Sequence, residues 1–174
     1  MSAEALRAGA QTLAEAYPEV GATAAELYSL LRACRVRSYA EGEDLCVEGE
    51  PSQQLYIVLE GAVQVERAND GAPVRIEVRA PTLLGTMGIV DRSRRTATCT
   101  AIRGPVLAAT MDREVFRTLI RGTDGRGIAL RRLMLTVLTQ QLIDGNDRLR
   151  TLVASADRRT EGDPLRSALL RAGR

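Results

Sequence analysis

LLGTMGIVDRSRRTATCTA, residues 83–101, is the stretch on which the interpretation of this chain's fold and binding chemistry depends. It combines two glycines, Gly85 and Gly88, with an arginine pair, Arg94 and Arg95, and it has a single acidic residue. Glycines let the main chain approach a ligand closely, and the planar arginine fork suits a phosphate group. These residue types at this spacing predict a loop that binds an anionic phosphate.

The composition limits the class of the chain before any further motif is considered. Its 174 residues are 45% hydrophobic, which suits one domain with helical appendages and a buried core. The 24 basic and 22 acidic residues give a net charge of +2, which is too balanced to indicate nucleic-acid binding. Histidine is absent, which excludes Ser-His-Asp triads, Cys-His dyads and histidine-ligated metal sites. We therefore expect neither an enzyme nor a metal site.

Cysteine usage and hydropathy indicate the compartment. Cys34, Cys46 and Cys99 are odd in number and widely spaced, which is typical of reduced thiols in a cytosolic protein. The N-terminus lacks the basic start and apolar run of a signal peptide, and no stretch reaches the roughly 20 apolar residues of a membrane span. The sequence therefore predicts a cytoplasmic protein with no membrane partner.

Residues 1–36 are predicted to be helical. The Ala-rich segment AEALRAGAQTLAEAY has leucines in helical phase, and Pro18 and Gly21 interrupt the pattern. A second helix starts after Thr23, which is a favourable N-cap residue. We interpret this segment as two packing helices that precede the main domain.

Residues 37–122 consist of short apolar runs separated by turn residues. Alternation with period two runs through residues 56–65, and turn signals are found at Glu60-Gly61, Asn69-Asp70-Gly71 and Arg103-Gly104-Pro105. Asp112 is predicted to cap a short helix. About eight short strands at regular spacing predict a jelly-roll barrel. The fold class is α+β: a β jelly-roll (double-stranded β-helix) flanked by N-terminal helices and a long C-terminal helix.

Residues 123–174 return to a helical pattern, with a long helix from about residue 128 to residue 154 and a tail. A leucine seam with alternating three- and four-residue spacing comprises Leu135, Leu138, Leu142, Leu149 and Leu152, with Gly145 in the same register. Such a seam predicts a second helix as partner, and therefore a homodimer. A second stripe, Leu130, Met134, Val137 and Gln141, is predicted to pack on the β-domain. An ordinary core helix of a monomer is the alternative.

The order of these segments and the motifs of residues 38–120 resemble the cyclic nucleotide-binding domain family. Its members include bacterial catabolite activator proteins, regulatory subunits of cAMP-dependent kinase and cyclic-nucleotide-gated channels. YAEGEDLCVEGEPSQQLYIVLEGAVQV resembles the family's opening strands, with glycines at the turn positions. Residues 83–101 resemble its phosphate-binding cassette, in which a glycine precedes an arginine by ten residues, as Gly85 precedes Arg95 here.

The resemblance implies a binding site for the cyclic phosphate of a nucleotide. Arg95 would bind the phosphate, Thr96 would add a hydroxyl, and backbone amides around Gly88 and Ala97 would line the site. Asn146 on the long helix would face the base, and an exposed helix asparagine is the alternative. The candidate site residues are Gly85, Thr86, Met87, Gly88, Arg95, Thr96, Ala97 and Asn146.

One position departs from the family pattern. The family has a glutamate directly after the first cassette glycine, where it accepts hydrogen bonds from the ribose 2′-hydroxyl, and this chain has Thr86 there. Loss of one charged hydrogen bond costs roughly 1.5–3 kcal/mol, or about 10- to 100-fold in affinity. Arg94 stands where many members have proline, and we interpret it as a surface residue.

Two functional hypotheses remain open. The first is a stand-alone dimeric sensor of cAMP, cGMP or cyclic di-GMP, without a metal, that passes its signal to a protein partner. The second is a degenerate member that acts as a ligand-independent interaction scaffold; Thr86 favours it, whereas Arg95 and Thr96 favour the sensor. The missing histidines disfavour a metalloenzyme on a similar jelly roll. Direct DNA binding is not expected, because too few residues follow Ala154 for a winged helix-turn-helix.

Overall fold

In the computed structural model, which describes residues 3–161, the N-terminal segment forms two helices, α1 (Ala3–Ala16) and α2 (Ala24–Leu31). A short 3-10 helix, Pro18–Val20, separates them. Thr23 caps α2 as predicted: its hydroxyl accepts from the Glu26 amide, and the Glu26 carboxylate accepts from the Thr23 amide. This reciprocal pair satisfies two amides that would otherwise lack partners, and it fixes where α2 begins.

The β-rich segment forms one antiparallel sheet. Within residues 3–161 its six strands are β1 (Arg35–Tyr39), β2 (Asp44–Cys46), β3 (Gln54–Arg67), β4 (Val74–Arg79), β5 (Thr82–Leu84) and β6 (Thr98–Asp112). The main path is β1-β6-β3-β4, while β2 pairs with β6 and β5 pairs with β3. The predicted α+β jelly-roll fold is confirmed, although its sheet is open rather than closed into a barrel.

The expectation of about eight short strands is wrong, because two predicted turns lie inside long strands. Glu60-Gly61 falls within β3, where Gly61 has a φ of +93° and the register with β6 shifts. A side chain at Gly61 would come within 2.7 Å of the Pro105 carbonyl oxygen, so glycine permits the strands to pack there. Arg103-Gly104-Pro105 lies within β6, opposite this irregularity. The two strands therefore bend together instead of ending.

Three further helices complete the described chain: α3 (Thr86–Asp91), α4 (Arg113–Arg121) and α5 (Gly125–Glu161). Asp112 holds the N-cap position of α4, but its side chain makes no capping hydrogen bond. Instead, its carboxylate accepts from Gln54 Nε2 at 2.9 Å and pairs with Arg35 at 3.3 Å. The carboxylate thus connects three elements of the fold rather than serving α4 alone.

Alternate residues of β3 divide the core into two clusters. Leu55, Ile57 and Leu59 belong to the helix-side cluster, which includes buried residues of α1, α2, α4 and α5. Tyr56 and Val58 project from the other face and belong to the sheet-side cluster. That cluster comprises Tyr39, Leu45, Cys46, Tyr56, Val58, Val63, Leu84, Cys99, Ala101, Val106 and Ala108.

The described chain divides into two units at Val137, residues 3–137 and residues 138–161. In the first unit, Leu130, Met134 and Val137 are buried in the helix-side cluster, as predicted for the second stripe of α5. Gln141, its last predicted member, is exposed. Residues 162–174 of the predicted tail lie outside the described residues.

The leucine seam of α5 is exposed along the described chain. Leu135 of the first unit is 69% exposed, and Leu142 and Leu149 of the second unit are 67% and 59% exposed. A Cβ at Gly145 would meet nothing within 4 Å. Among the helices described here, none is both long and apolar enough to cross a membrane.

Candidate phosphate-binding site

Arg95 is the central residue of the cassette, residues 83–101. Its main chain is paired with the loop before β3, because its amide donates to the Glu50 carbonyl and its carbonyl accepts from the Gly49 amide. Its side chain is folded inward, and the residue is only 7% exposed. Nη2 donates to the Gln54 carbonyl oxygen at 2.7 Å. Nη1 is buried and has no hydrogen-bond partner among the described residues.

Gly85 makes this arginine position possible. It has a φ of +80° and directly precedes α3, in the left-handed region that favours glycine. A Cβ at Gly85 would overlap Arg95 Nη1 and lie 3.1 Å from the Gln54 carbonyl oxygen. The structure therefore brings into contact the glycine and the arginine that the sequence places ten residues apart.

Tyr56 is a site residue that the sequence analysis did not identify. Its ring centroid lies 5.1 Å from the Arg95 guanidinium carbon, in a cation-π arrangement. Its hydroxyl donates to the Leu45 carbonyl at 2.6 Å, and burial raises the pKa of Tyr56 to about 12. The neutral ring thus forms one wall beside the guanidinium. The period-two alternation of β3 indicates that Tyr56 faces inward, but it does not indicate which residue it meets.

The short helix α3 carries three of the candidate residues in different environments. Thr86 is buried at 7% exposure, whereas Met87 is 64% exposed. Gly88 packs against Ser52, and a Cβ at Gly88 would overlap the Ser52 side chain. The Gly88 carbonyl accepts from Arg113 Nη2 at 3.1 Å. Gly88 therefore allows α3 to lie directly against the loop before β3.

The remaining candidates lie outside the immediate surroundings of the guanidinium. Thr96 is exposed and Ala97 is half-buried, in the segment between Arg95 and β6. Arg94 is exposed and donates to the Gly49 carbonyl at 2.7 Å, so its side chain is engaged with a surface loop. Asn146 lies in the second unit, where it is exposed and lines a shallow groove with Leu149 and residues 150, 153 and 154. Its predicted role at the base stays a prediction.

The charge at the site determines what it can bind. Arg95 forms no ion pair with any carboxylate of residues 3–161, and burying a cation without a counter-ion is unfavourable. An oxyanion beside Nη1 would supply both the missing charge and the missing acceptor. No group of three or more histidine, cysteine or acidic residues in the described chain is placed to hold a metal ion. The fold is that of a jelly-roll domain, and the surroundings of Arg95 suit an oxyanion.

Comparison with known proteins identifies the family to which this domain belongs. The profile of the cyclic nucleotide-binding domain matches residues 36–123, about half of the chain. The chain belongs to the cyclic nucleotide-binding domain family. Domains of this family are regulatory rather than catalytic, although some relatives fuse them to catalytic parts.

One curated relative and two solved structures illustrate the similarity. The CRP-like cAMP-activated global transcriptional regulator of Mycobacterium tuberculosis is 31% identical over 117 residues, which cover 66% of this chain and 50% of that protein. The chain thus spans about half the length of this relative.

Both solved structures are below 25% identity and therefore support the fold alone. A cyclic nucleotide-binding domain from Methylobacillus flagellatus matches with a TM-score of 0.67 and 23% identity, covering 74% of this chain and 73% of that one. The regulatory domain of Toxoplasma gondii PKA with cAMP matches with a TM-score of 0.57 and 19% identity, covering 83% and 49%.

Proposed function

We propose that this chain is a cyclic-nucleotide-sensing module in which Arg95 binds the cyclic phosphate. The observation that carries the proposal is the buried, unpartnered Nη1 of Arg95 beside Gly85. Nη2 is already held by the Gln54 carbonyl, so the guanidinium is oriented before any ligand arrives. A preoriented fork loses less conformational entropy on binding than a mobile surface arginine does.

The nucleotide would be cAMP, cGMP or cyclic di-GMP, since all three present an anionic phosphate ester. The residues present fit such a group at its phosphate, because Nη1 offers a donor and no carboxylate in the described part of the chain forms an ion pair with Arg95. They fit less well at the ribose, where Thr86 offers a hydroxyl in place of the family's glutamate. We therefore expect binding in the micromolar range rather than tighter.

The output would pass through other protein surfaces. The exposed leucines of α5 are proposed to pair with a second copy of the chain, which gives a homodimer. A protein partner would then receive the signal, in the cytoplasm, which is consistent with three cysteines that are all free in this structure. Direct DNA contact is not part of this proposal, because the charge of the chain is nearly balanced.

A specific observation favours a second candidate function, the ligand-independent scaffold. Thr86 is buried, and its hydroxyl is a weaker hydrogen-bond acceptor than the carboxylate that the family has at this position. If this deficit exceeds the contribution of Arg95, the fold would serve only as an interaction surface.

Calorimetric titration with cAMP, cGMP and cyclic di-GMP separates the two functions. We expect micromolar binding of at least one nucleotide to the wild type and at least 100-fold weaker binding to Arg95→Ala, since a charged hydrogen-bond pair is lost. Arg95→Lys keeps the charge without the fork and should bind about 10-fold more weakly than wild type. Arg94→Ala is the matched control, because Arg94 is exposed and bonded to Gly49.

The outcomes distinguish the candidates clearly. No heat from any nucleotide, with a wild type that is folded by circular dichroism, would reject the sensor and favour the scaffold. Equal losses in Arg94→Ala and Arg95→Ala would indicate general charge attraction rather than a site built around Arg95.

A further inference from the structure

Cys46 and Cys99 face each other across the sheet. Cys46 ends β2 and Cys99 lies near the start of β6. The two residues are register partners in this antiparallel pair, next to a register shift between Asp44 and Cys46. Opposed residues in an antiparallel pair have Cα atoms about 4.5–5.5 Å apart. A disulfide requires a Cα separation of roughly 4.4–6.8 Å, so this pair can close without moving the strands far.

The two thiols influence each other's ionisation. Interaction with Cys99 lowers the pKa of Cys46, whereas interaction with Cys46, together with burial, raises the pKa of Cys99. The Arg95 guanidinium lowers the pKa of Cys46 further, although burial opposes both effects. The pair therefore contains an attacking sulfur, Cys46, and a resolving sulfur, Cys99, which is the arrangement found in redox-active cysteines.

The location of the pair connects it to the candidate nucleotide site. Both cysteines belong to the sheet-side cluster, with Tyr56 and Leu84, and are 7% and 5% exposed. Cys46 Sγ contacts the carbonyl of Ala97 at 3.9 Å, within the cassette. A bond between the strands at this point would constrain main chain only two residues from Ala97.

Cys34 provides an internal contrast. It is half-buried, belongs to the rim of the helix-side cluster and contacts the Leu30 carbonyl at 3.7 Å. Burial raises the pKa of Cys34 to about 12, so its thiol is poorly reactive. Neither of the other cysteines belongs to its cluster. The structure therefore separates one inert thiol from one opposed pair.

We propose that Cys46 and Cys99 form a peroxide-sensitive dithiol, which closes to a reversible disulfide beside Arg95 and thereby weakens binding at the nucleotide site. The formation of the disulfide is inferred from the geometry of the pair and does not depend on nucleotide binding. The effect of the disulfide on binding rests on the proposed function. Closing the bond would lock β2 to β6 next to Ala97 and restrict how the cassette main chain can adjust to a ligand.

The chemistry balances with hydrogen peroxide as the oxidant. The Cys46 thiolate attacks one peroxide oxygen, the O–O bond breaks, and a sulfenic acid forms while hydroxide leaves and takes a proton to become water. The Cys99 sulfur then attacks the Cys46 sulfur and loses its proton, and the sulfenic hydroxyl leaves as a second water. In sum, two thiols and one peroxide give one disulfide and two waters, and a dithiol reductant restores the thiols.

Peptide mapping of the peroxide-treated full chain tests the disulfide. Reduced protein is treated with a small excess of hydrogen peroxide, its remaining thiols are alkylated under denaturing conditions, and the digest is analysed by mass spectrometry. We expect a peptide pair linked through Cys46 and Cys99 that dithiothreitol separates, with Cys34 recovered as the alkylated form. Cys34→Ser should form the same link, and Cys99→Ala should trap an oxidised Cys46 instead.

Three other results would contradict the proposed Cys46–Cys99 disulfide. These are the absence of a linked peptide in the wild type, links that involve Cys34, or links between chains. Because the wild type and Cys34→Ser are themselves the test molecules, a failure of Cys99→Ala to fold leaves the conclusion intact.

Calorimetry with cAMP, cGMP and cyclic di-GMP on the oxidised and reduced Cys34→Ser protein tests the effect on binding. We expect the oxidised form to bind at least 10-fold more weakly and to recover fully on reduction. Equal affinities of the two forms would show that the disulfide does not affect nucleotide binding, although the disulfide itself would still be supported. No binding by the reduced form would reject the proposed function together with the coupling, whereas the linked peptide is judged on its own.

Discussion

The cassette and the distal part of α5 differ in how much of their environment this chain supplies. In the cassette, Arg95 is buried, bonded to Gln54 and packed on Gly85 and Tyr56, and its Nη1 has no hydrogen-bond partner among residues 3–161. Beyond Val137, the leucines of α5 are exposed. The first region presents a buried cationic donor, and the second presents exposed apolar side chains. These different chemistries are why we propose a small anionic ligand for the first region and a protein partner for the second.

The largest effect on stability and nucleotide binding is expected for Gly85→Ala, in the cassette. The added methyl group would overlap Arg95 Nη1, and the residue would be held at a φ of +80°. We expect a loss of about 3–5 kcal/mol in the free energy of unfolding, and the loss of measurable nucleotide binding. Urea unfolding and calorimetry measure the two effects.

Gly42→Ala is the matched control for this change. Gly42 has a φ of +83°, and a Cβ there would meet nothing within 4 Å. The backbone strain alone should cost about 1–2 kcal/mol and leave nucleotide binding unchanged. Equal effects of the two substitutions would show that contact between Gly85 and Arg95 is unimportant.

The next largest effect is expected for Leu142→Asp on α5. If Leu142 is buried between two copies, its removal costs each copy about 1.5 kcal/mol, or about 3 kcal/mol for the dimer, and raises the dissociation constant about 100-fold. Sedimentation equilibrium measures this constant. Val74→Asp is the control, because Val74 is 53% exposed on β4 of the first unit and should leave the dimer intact. If Leu142→Asp associates as tightly as the wild type, the leucine seam does not form the dimer contact.

Thr86→Glu tests whether the missing carboxylate limits nucleotide affinity at the cassette. A carboxylate in place of the buried hydroxyl restores the charged acceptor of the family, and we expect about 10- to 100-fold tighter nucleotide binding by calorimetry. Thr86→Gln has nearly the same shape without the charge and should gain much less. A similar gain in both variants would mean that side-chain length, rather than charge, limits affinity.

The smallest effect is expected for Gly145→Ala. In an open helix, alanine stabilises by about 1 kcal/mol relative to glycine. In a closely packed helix pair, the added methyl group weakens association instead, and we expect the dimer dissociation constant to rise about 5-fold. Higher thermal stability together with unchanged association would show that this face of α5 stays open.

Several features of the fold were predictable because they depend on neighbours in the sequence. The capping box of Thr23 and Glu26 lies within one helical turn, and the buried stripe of α5 follows the helical repeat. The strand count was not predictable in the same way. Glu60-Gly61 has turn composition, yet pairing with β6 continues through it, because the partner strand bends at the same place.

The sequence by itself determined the helical segments, the family and the choice of Arg95 as the candidate phosphate-binding residue, since these depend on residue type and short spacing. Only the tertiary structure decided what surrounds that arginine. Gln54 lies 41 residues before Arg95, and Cys46 meets Cys99, because the pairing of β3 and β2 with β6 joins distant segments. Such contacts follow from strand register, which is set by the whole core rather than by any one motif.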